Sequence, residues 1–269
     1  MTLGFSVESL LPLARVEGPL RMGLVRVPLS EWRDPEPDLA ARRAVLDACP
    51  EAVMVRPEAE PAIAELADIL GVSGGLDACT RAMWEDLCLL VQEAPGAPFR
   101  LAAGAVAFPT DWHLPEKMGQ GVGAIHTPIQ GYAEALEAGV ERFLDGLQSF
   151  NLFGRTNAFV VASDALRYLP KDSVEARFAH VTPENAGETL YVRCEREVLR
   201  RLPRSRAIVF TIGIYRTALG RLGDDAVARI ARSVAGFGGL ELERRGAPQY
   251  GAALSAYARQ REEARAVQG

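Results

Sequence analysis

Three histidines, His113, His126 and His180, are the first residues to weigh for chemistry. Scattered as they are, they cannot supply an H-E-x-x-H zinc site, and no spacing marks a two-histidine iron site. One imidazole is enough, however, to hold a haem from its proximal side. His126 stands in Ala124-Ile125-His126-Thr127-Pro128, directly ahead of the clearest helix of the chain. Taken alone it reads as a packed or capping imidazole, and His113 and His180 stay open as alternatives. The second locus is Arg193, Glu195, Arg196 and Glu197. On a strand, Arg193, Glu195 and Glu197 share one face and Arg196 takes the other. Inside a cavity such a set would position a cationic substrate or relay protons. The plainer reading, a solvated strand end with surface ion pairs, is the one these residues favour by themselves.

Other patterns carry less. Gly71-Val72-Ser73-Gly74-Gly75 matches G-x-S-x-G, but the hydrolase elbow needs a strand before it and a helix precedes it here. A helix cap followed by a turn is expected instead. Gly119, Gly121 and Gly123 lack the βαβ context of a dinucleotide fingerprint. Cys49, Cys79, Cys88 and Cys194 show no C-x-x-C spacing, which argues against a zinc ribbon, an iron–sulfur cluster or a disulfide scaffold. A formal net charge of −5 gives no basic field for nucleic acid. No run of about 18 apolar residues occurs, so no membrane helix is expected. The N-terminus lacks the basic segment and apolar core of a secretory signal, and a cytoplasmic protein is expected. Of 30 basic residues only Lys117 and Lys171 are lysines, and arginine keeps its charge at any working pH.

The elements that must position these residues read as follows. Leu24, Val25 and Val27 form a short apolar run. Leu39 to Cys49 has helical spacing. Pro61 fits the first turn of a second helix closed by Gly71, and Ala82 to Gln92 reads as a third, buried helix. Phe99 to Phe108 looks like one or two strands with a bulge or bend at Gly104. Gln130 to Gln148 carries one apolar stripe of Tyr132, Leu136, Val140, Phe143, Leu144 and Leu147. Asn157–Ala162, Thr189–Cys194 and Ala207–Tyr215 are strands. Asp224 and Asp225 cap a further helix, and 252–267 forms a polar one. The expected organisation is a single compact α+β domain: a helical N-terminal region over 1–95, a core over 96–251 and a C-terminal helix over 252–269.

Taken together, several fragments resemble one family. Phe108-Pro109-Thr110-Asp111-Trp112, Glu116-Lys117-Met118-Gly119 and Ile125-His126-Thr127-Pro128-Ile129-Gln130-Gly131-Tyr132 form the first block. Arg193-Cys194-Glu195-Arg196, Leu199-Arg200-Arg201-Leu202-Pro203-Arg204-Ser205 and Ala207-Ile208-Val209-Phe210-Thr211-Ile212 with Tyr215 form the second, and Tyr250-Gly251 a late element. They resemble the haem-dependent oxidative N-demethylases. That resemblance implies a PAS-like antiparallel sheet with flanking helices around haem b. It implies a monooxygenase that uses O2 to oxidise an amine-containing small molecule, by N-demethylation or N-oxidation. Electrons would come from NADPH through a separate flavin and iron–sulfur reductase, for which this chain shows no site of its own. His126 carries over as the proximal haem ligand and Arg196 as a cofactor contact. Glu195 and Arg193 carry over as the catalytic, substrate-side pair, with Glu195 meeting the amine. The chain departs from the family pattern at Gly213, where an arginine is expected, at Ala158, where a tryptophan is expected, and at Glu197 and Val198, where Gln-Thr is expected. These departures leave the substrate open. A haem-based gas or ligand sensor without turnover is the alternative function, and a haem-free relative a third.

Overall fold

The computed structural model describes residues 3–15, 20–127, 129 and 131–268. The fold is α+β. Seven strands, β1 (Val25–Val27), β2 (Val53–Val55), β3 (Asp86–Val91), β4 (Arg100–Ala105), β5 (Leu152–Val161), β6 (Tyr191–Arg201) and β7 (Ile208–Ala218), form one open sheet. Their order is β1-β5-β6-β7-β3-β4-β2, and β1/β5, β2/β4, β3/β4 and β3/β7 pair antiparallel. This sheet with helices around it is consistent with the expected PAS-like class. The chain divides into two compact units. One comprises Met1–Leu3, Leu20–Arg155 and Arg196–Ile214, and the other Gly4–Pro19, Thr156–Glu195 and Tyr215–Gly269. The first 95 residues are therefore not only helical, since they contribute β1, β2 and β3.

Several expected elements form where the sequence places them. Leu39–Ala48 is helical behind an Asp38 cap. Glu60–Leu70 has Pro61 in its first turn and ends at Gly71 in the left-handed conformation, φ 68°. The helix expected over 82–92 is a correction. Its apolar centre is β3, bonded to β4 on one side and β7 on the other. A central strand covered on both faces carries an uninterrupted apolar run, and periodicity cannot tell that run from a buried helix. The irregularity expected at Gly104 also moves. Leu89 pairs with Ala103 and Leu90 with Leu101, so the extra residue is Ala102. Gly104 is there for room, because the Leu114 side chain fills the place of its absent Cβ.

The helix expected over 130–148 is split. Gln130 lies outside the described residues. Ala133–Glu137 runs as a π-helix and Ala138–Gly146 as an α-helix, and such π turns are frequent at functional sites. Asp224 and Asp225 sit in the first turn of the Asp224–Ala235 helix rather than at its cap, which is Gly223. There they meet the positive end of the helix dipole and pair with Arg261 at 2.6 Å and Arg265 at 3.0 Å.

In the first unit, Cys88, Leu90, Phe99, Leu101, Val106, Leu114, Val122, Leu144, Leu147 and Ile208 form a buried apolar cluster. Trp112, Met118 and Ile125 pack against it from the irregular stretch after β4. That packing fixes the stretch that carries His126.

Candidate functional site

The path to His126 begins at Asp86. Its carboxylate accepts the N–H groups of Ala107 at 2.8 Å and Phe108 at 3.0 Å, where the chain leaves β4. Extended pairing in β4 has already ended at Ala105. The chain then doubles back on β4: Leu101 donates to the Gln120 carbonyl at 3.0 Å and Gly119 to the Leu101 carbonyl at 2.7 Å. A single helical turn, Val122–Ile125, follows, anchored in the core by Val122 and Ile125.

His126 closes that turn. Its Nδ1 lies 2.8 Å from the Val122 carbonyl oxygen. A carbonyl can only accept, so Nδ1 carries the proton and Nε2 keeps its lone pair. The Tyr132 ring stacks on the imidazole with centroids 4.5 Å apart and planes 11° from parallel. Burial pushes the imidazole pKa down, despite the opposing Val122 bond, and the charges of Arg155 and Lys117 push it the same way. The ring is therefore neutral at neutral pH, the form that binds metal. Lys117 donates to the Ile125 carbonyl at 3.2 Å, and Arg155 is ion-paired with Glu197 at 3.2 Å. The chemistry of this set is one oriented nitrogen lone pair with two cations close enough to depress its protonation. Both alternatives for a ligand, His113 and His180, are exposed.

The second locus is inside the protein, which corrects the solvated reading. Arg193 is 1% exposed, Glu195 8% and Arg196 0%. Arg193 and Glu195 belong to the second unit, and His126 and Arg196 to the first. Arg193 donates to the carbonyls of Ala165 at 3.0 Å and Leu166 at 2.8 Å. Glu195 accepts from the Asn157 amide at 3.3 Å. Arg196 donates to the main-chain carbonyls of Glu31 and Trp32, so its guanidinium clamps the Glu31–Trp32 segment. Of the departures from the family pattern, Glu197 supplies the Arg155 ion pair, Val198 is fully buried, and the Ala158 carbonyl accepts from Arg245 at 2.9 Å. Gly213 is buried in β7.

Among the other sequence candidates, Ser73 is exposed in a turn after the Gly71 cap. Cys79, Cys88 and Cys194 are buried free thiols. Among the described residues, no group of three or more His, Cys, Asp or Glu side chains could hold a metal ion, and no helix is long and apolar enough to cross a membrane. A cavity of about 210 Å³ lies between the Asp224–Ala235 and Ala247–Gln268 helices and is lined by Val234, Leu242, Gly251 and Ser255. It holds no ionisable group and is smaller than ordinary ligand sites of about 300–1,000 Å³. Sequence reasoning missed the Asp86 clamp and the aromatic surroundings of Arg245. A family model described as haem-dependent oxidative N-demethylase, alpha subunit-like, matches residues 72–254, more than half of the chain.

Proposed function

The chain belongs to the haem-dependent oxidative N-demethylase, alpha subunit-like, family, and from that premise we propose that it is a monooxygenase oxidising an amine-containing small molecule. Haem b, when bound, supplies the activation of O2 needed to oxidise the N-methyl carbon or the nitrogen. Its electrons come from NADPH through a separate reductase. The residues present fit such a group: His126 offers an oriented Nε2 lone pair from a half-buried, neutral ring. That tautomer, fixed by the Val122 carbonyl, is the observation that carries the reading, because a histidine ligand is held this way by its second nitrogen. Lys117 and Arg155 supply positive charge suited to a cofactor's carboxylates.

On the substrate side, Glu195 is a buried carboxylate held by a neutral amide, Asn157. Buried carboxylates favour cationic partners, and a substrate ammonium supplies one. Asn157 orients the carboxylate, while Arg193 fixes the Ala165–Leu166 segment through two main-chain carbonyls. Arg196, assigned to the cofactor by resemblance, acts through the Glu31–Trp32 segment that it holds.

The test is the absorption spectrum of the purified protein, oxidised, reduced, and reduced with CO, beside His126→Ala. A Soret band that shifts on reduction and on CO, and is lost or altered in the variant, is expected. Absence of haem after expression with ample precursor would overturn the reading. An unchanged Soret band in the variant would overturn His126 as the ligand.

A further inference from the structure

Arg245 is mostly enclosed, its side chain 14% exposed, beside two aromatic rings. Its guanidinium carbon stands 4.2 Å from the centroid of Phe159 and 5.6 Å from that of Phe237. Its Nε donates to Glu241 at 2.8 Å, and a terminal nitrogen donates to the Ala158 carbonyl at 2.9 Å. Two rings, a carboxylate and a carbonyl around one cation are the elements that recognise alkylated ammonium and guanidinium ligands. Phe159 lies two residues along β5 from Asn157, so alternation sends both side chains to one face. Asn157 is the residue that bonds Glu195.

The helix that precedes Arg245 is mostly exposed, while Gly246 after it packs on Val174 and Phe178. The Gly239–Arg244 helix buries none of its residues. Gly239 and Gly246 bound it, both in the left-handed region at φ 55° and 64°. Arg244 also pairs with Glu241, at 2.9 Å, from a more exposed position. Segments with few buried contacts open at low free-energy cost. Removing Arg245 from the rings asks only for rotation of its side chain and loss of the Ala158 and Glu241 bonds.

We propose that Phe159, Phe237, Glu241 and the Ala158 carbonyl form a subsite for an alkylated ammonium or guanidinium cation, and that Arg245 is its internal, displaceable occupant. On the amine-oxidation reading, on which this identification of the ligand rests, the cation that displaces Arg245 is the substrate's ammonium group. The subsite then selects for alkylated cations, and Arg245 keeps the rings covered between ligands.

The test is calorimetric titration of wild type and Arg245→Met with methylguanidinium chloride, and with methylurea as the neutral control. Arg245→Met is expected to bind methylguanidinium at least about tenfold tighter than methylurea, and at least about tenfold tighter than wild type does. Adding Phe159→Leu is expected to abolish the binding. A folded Arg245→Met protein that binds neither compound, or both equally, overturns the subsite. Equal binding by wild type and variant overturns the displacement. Should Arg245→Met fail to fold, hydrogen exchange on wild type decides. Dimethylammonium, at concentrations that leave global stability unchanged, is expected to speed exchange over 238–246, and unchanged exchange overturns the proposal. Cation binding is read without haem, so its failure leaves the Soret test standing, and a missing Soret band leaves the cation test standing.

Discussion

Replacing Arg42 by methionine removes the cation from a fully enclosed ion pair. Arg42 and Asp86 are 0% and 1% exposed and meet at 2.9 Å. The same guanidinium donates to the carbonyls of Thr80 at 2.7 Å and Trp84 at 2.9 Å and to the Thr80 hydroxyl. Methionine keeps most of the stem volume, so the loss is polar rather than a cavity. It leaves Asp86 with the N–H groups of Ala107 and Phe108, and two carbonyls without this donor. Breaking a buried pair by removing one partner costs about 3–5 kcal/mol. The expected result is a loss of about 4 kcal/mol in urea unfolding at pH 7 with an unchanged m-value. Asp86→Asn in the Arg42→Met background is expected to restore about 1–3 kcal/mol, because the orphaned charge disappears while an amide oxygen still accepts. Asp86 also holds the start of the stretch that leads to His126, so Arg42→Met is expected to retain less haem than wild type at equal folded concentration. A loss below about 1 kcal/mol for Arg42→Met would refute the reasoning, since it would mean that the buried carboxylate does not depend on its cation.

Two further expectations rest on titration. Burial alone would raise the Glu65 pKa, but the N–H groups of Ser205 and Arg204 and the Arg204 charge outweigh it and leave it lowered. Its stabilising contribution is therefore present above the unfolded pKa of about 4.3 and lost as pH falls through the lower folded value. Glu65→Gln should flatten the acid limb of stability below about pH 5, and an unchanged limb in denaturant titrations would count against the assignment. Burial also pushes the thiol of Cys79 up to about 11 and that of Cys194 up to about 12, and raises Cys88 further. Native protein treated with a thiol reagent at pH 8 is expected to label Cys49 rapidly and the other three only on unfolding, as read by mass spectrometry.

The parts of the fold that the sequence reveals are those whose signal is local. Pro61 and Gly71 bracket a helix because each fixes a backbone angle by its own chemistry. The β-branched and aromatic run in β7 identifies itself for the same reason. β3 does not, because its burial comes from β4 and β7, one of them more than a hundred residues away. The same holds at the site. His126 by itself reads as a packed or capping imidazole, and only the family resemblance marks it as a ligand. Burial of Arg193, Glu195 and Arg196 is decided by segments around residues 31, 157 and 165, so composition misreads them as solvated. The rings around Arg245 are invisible in the sequence because Phe159 and Phe237 are 78 residues apart.

The arginines show why charge near a site is weak evidence of what the site binds. Arg201 donates to the carbonyls of Leu144, Asp145 and Arg206, and Arg229 to those of Leu11, Pro12 and Ala14. Arg193, Arg196 and Arg42 also reach main-chain carbonyls. A planar fork can hold two or three carbonyls at once, which a lysine ammonium does with less geometric definition. A composition with 30 basic residues and only two lysines thus serves loop fastening as much as ligand binding. The test of a functional cation is what its donors touch. Arg42 and Arg201 each face one ring, Phe108 at 5.4 Å and Phe99 at 5.6 Å, whereas Arg245 faces two, Phe159 at 4.2 Å and Phe237 at 5.6 Å. A pair of rings around one cation is the arrangement that recognises a cation carrying alkyl groups. That contrast separates Arg245 from the structural arginines and joins it to the buried Glu195 carboxylate as a second feature suited to an amine ligand.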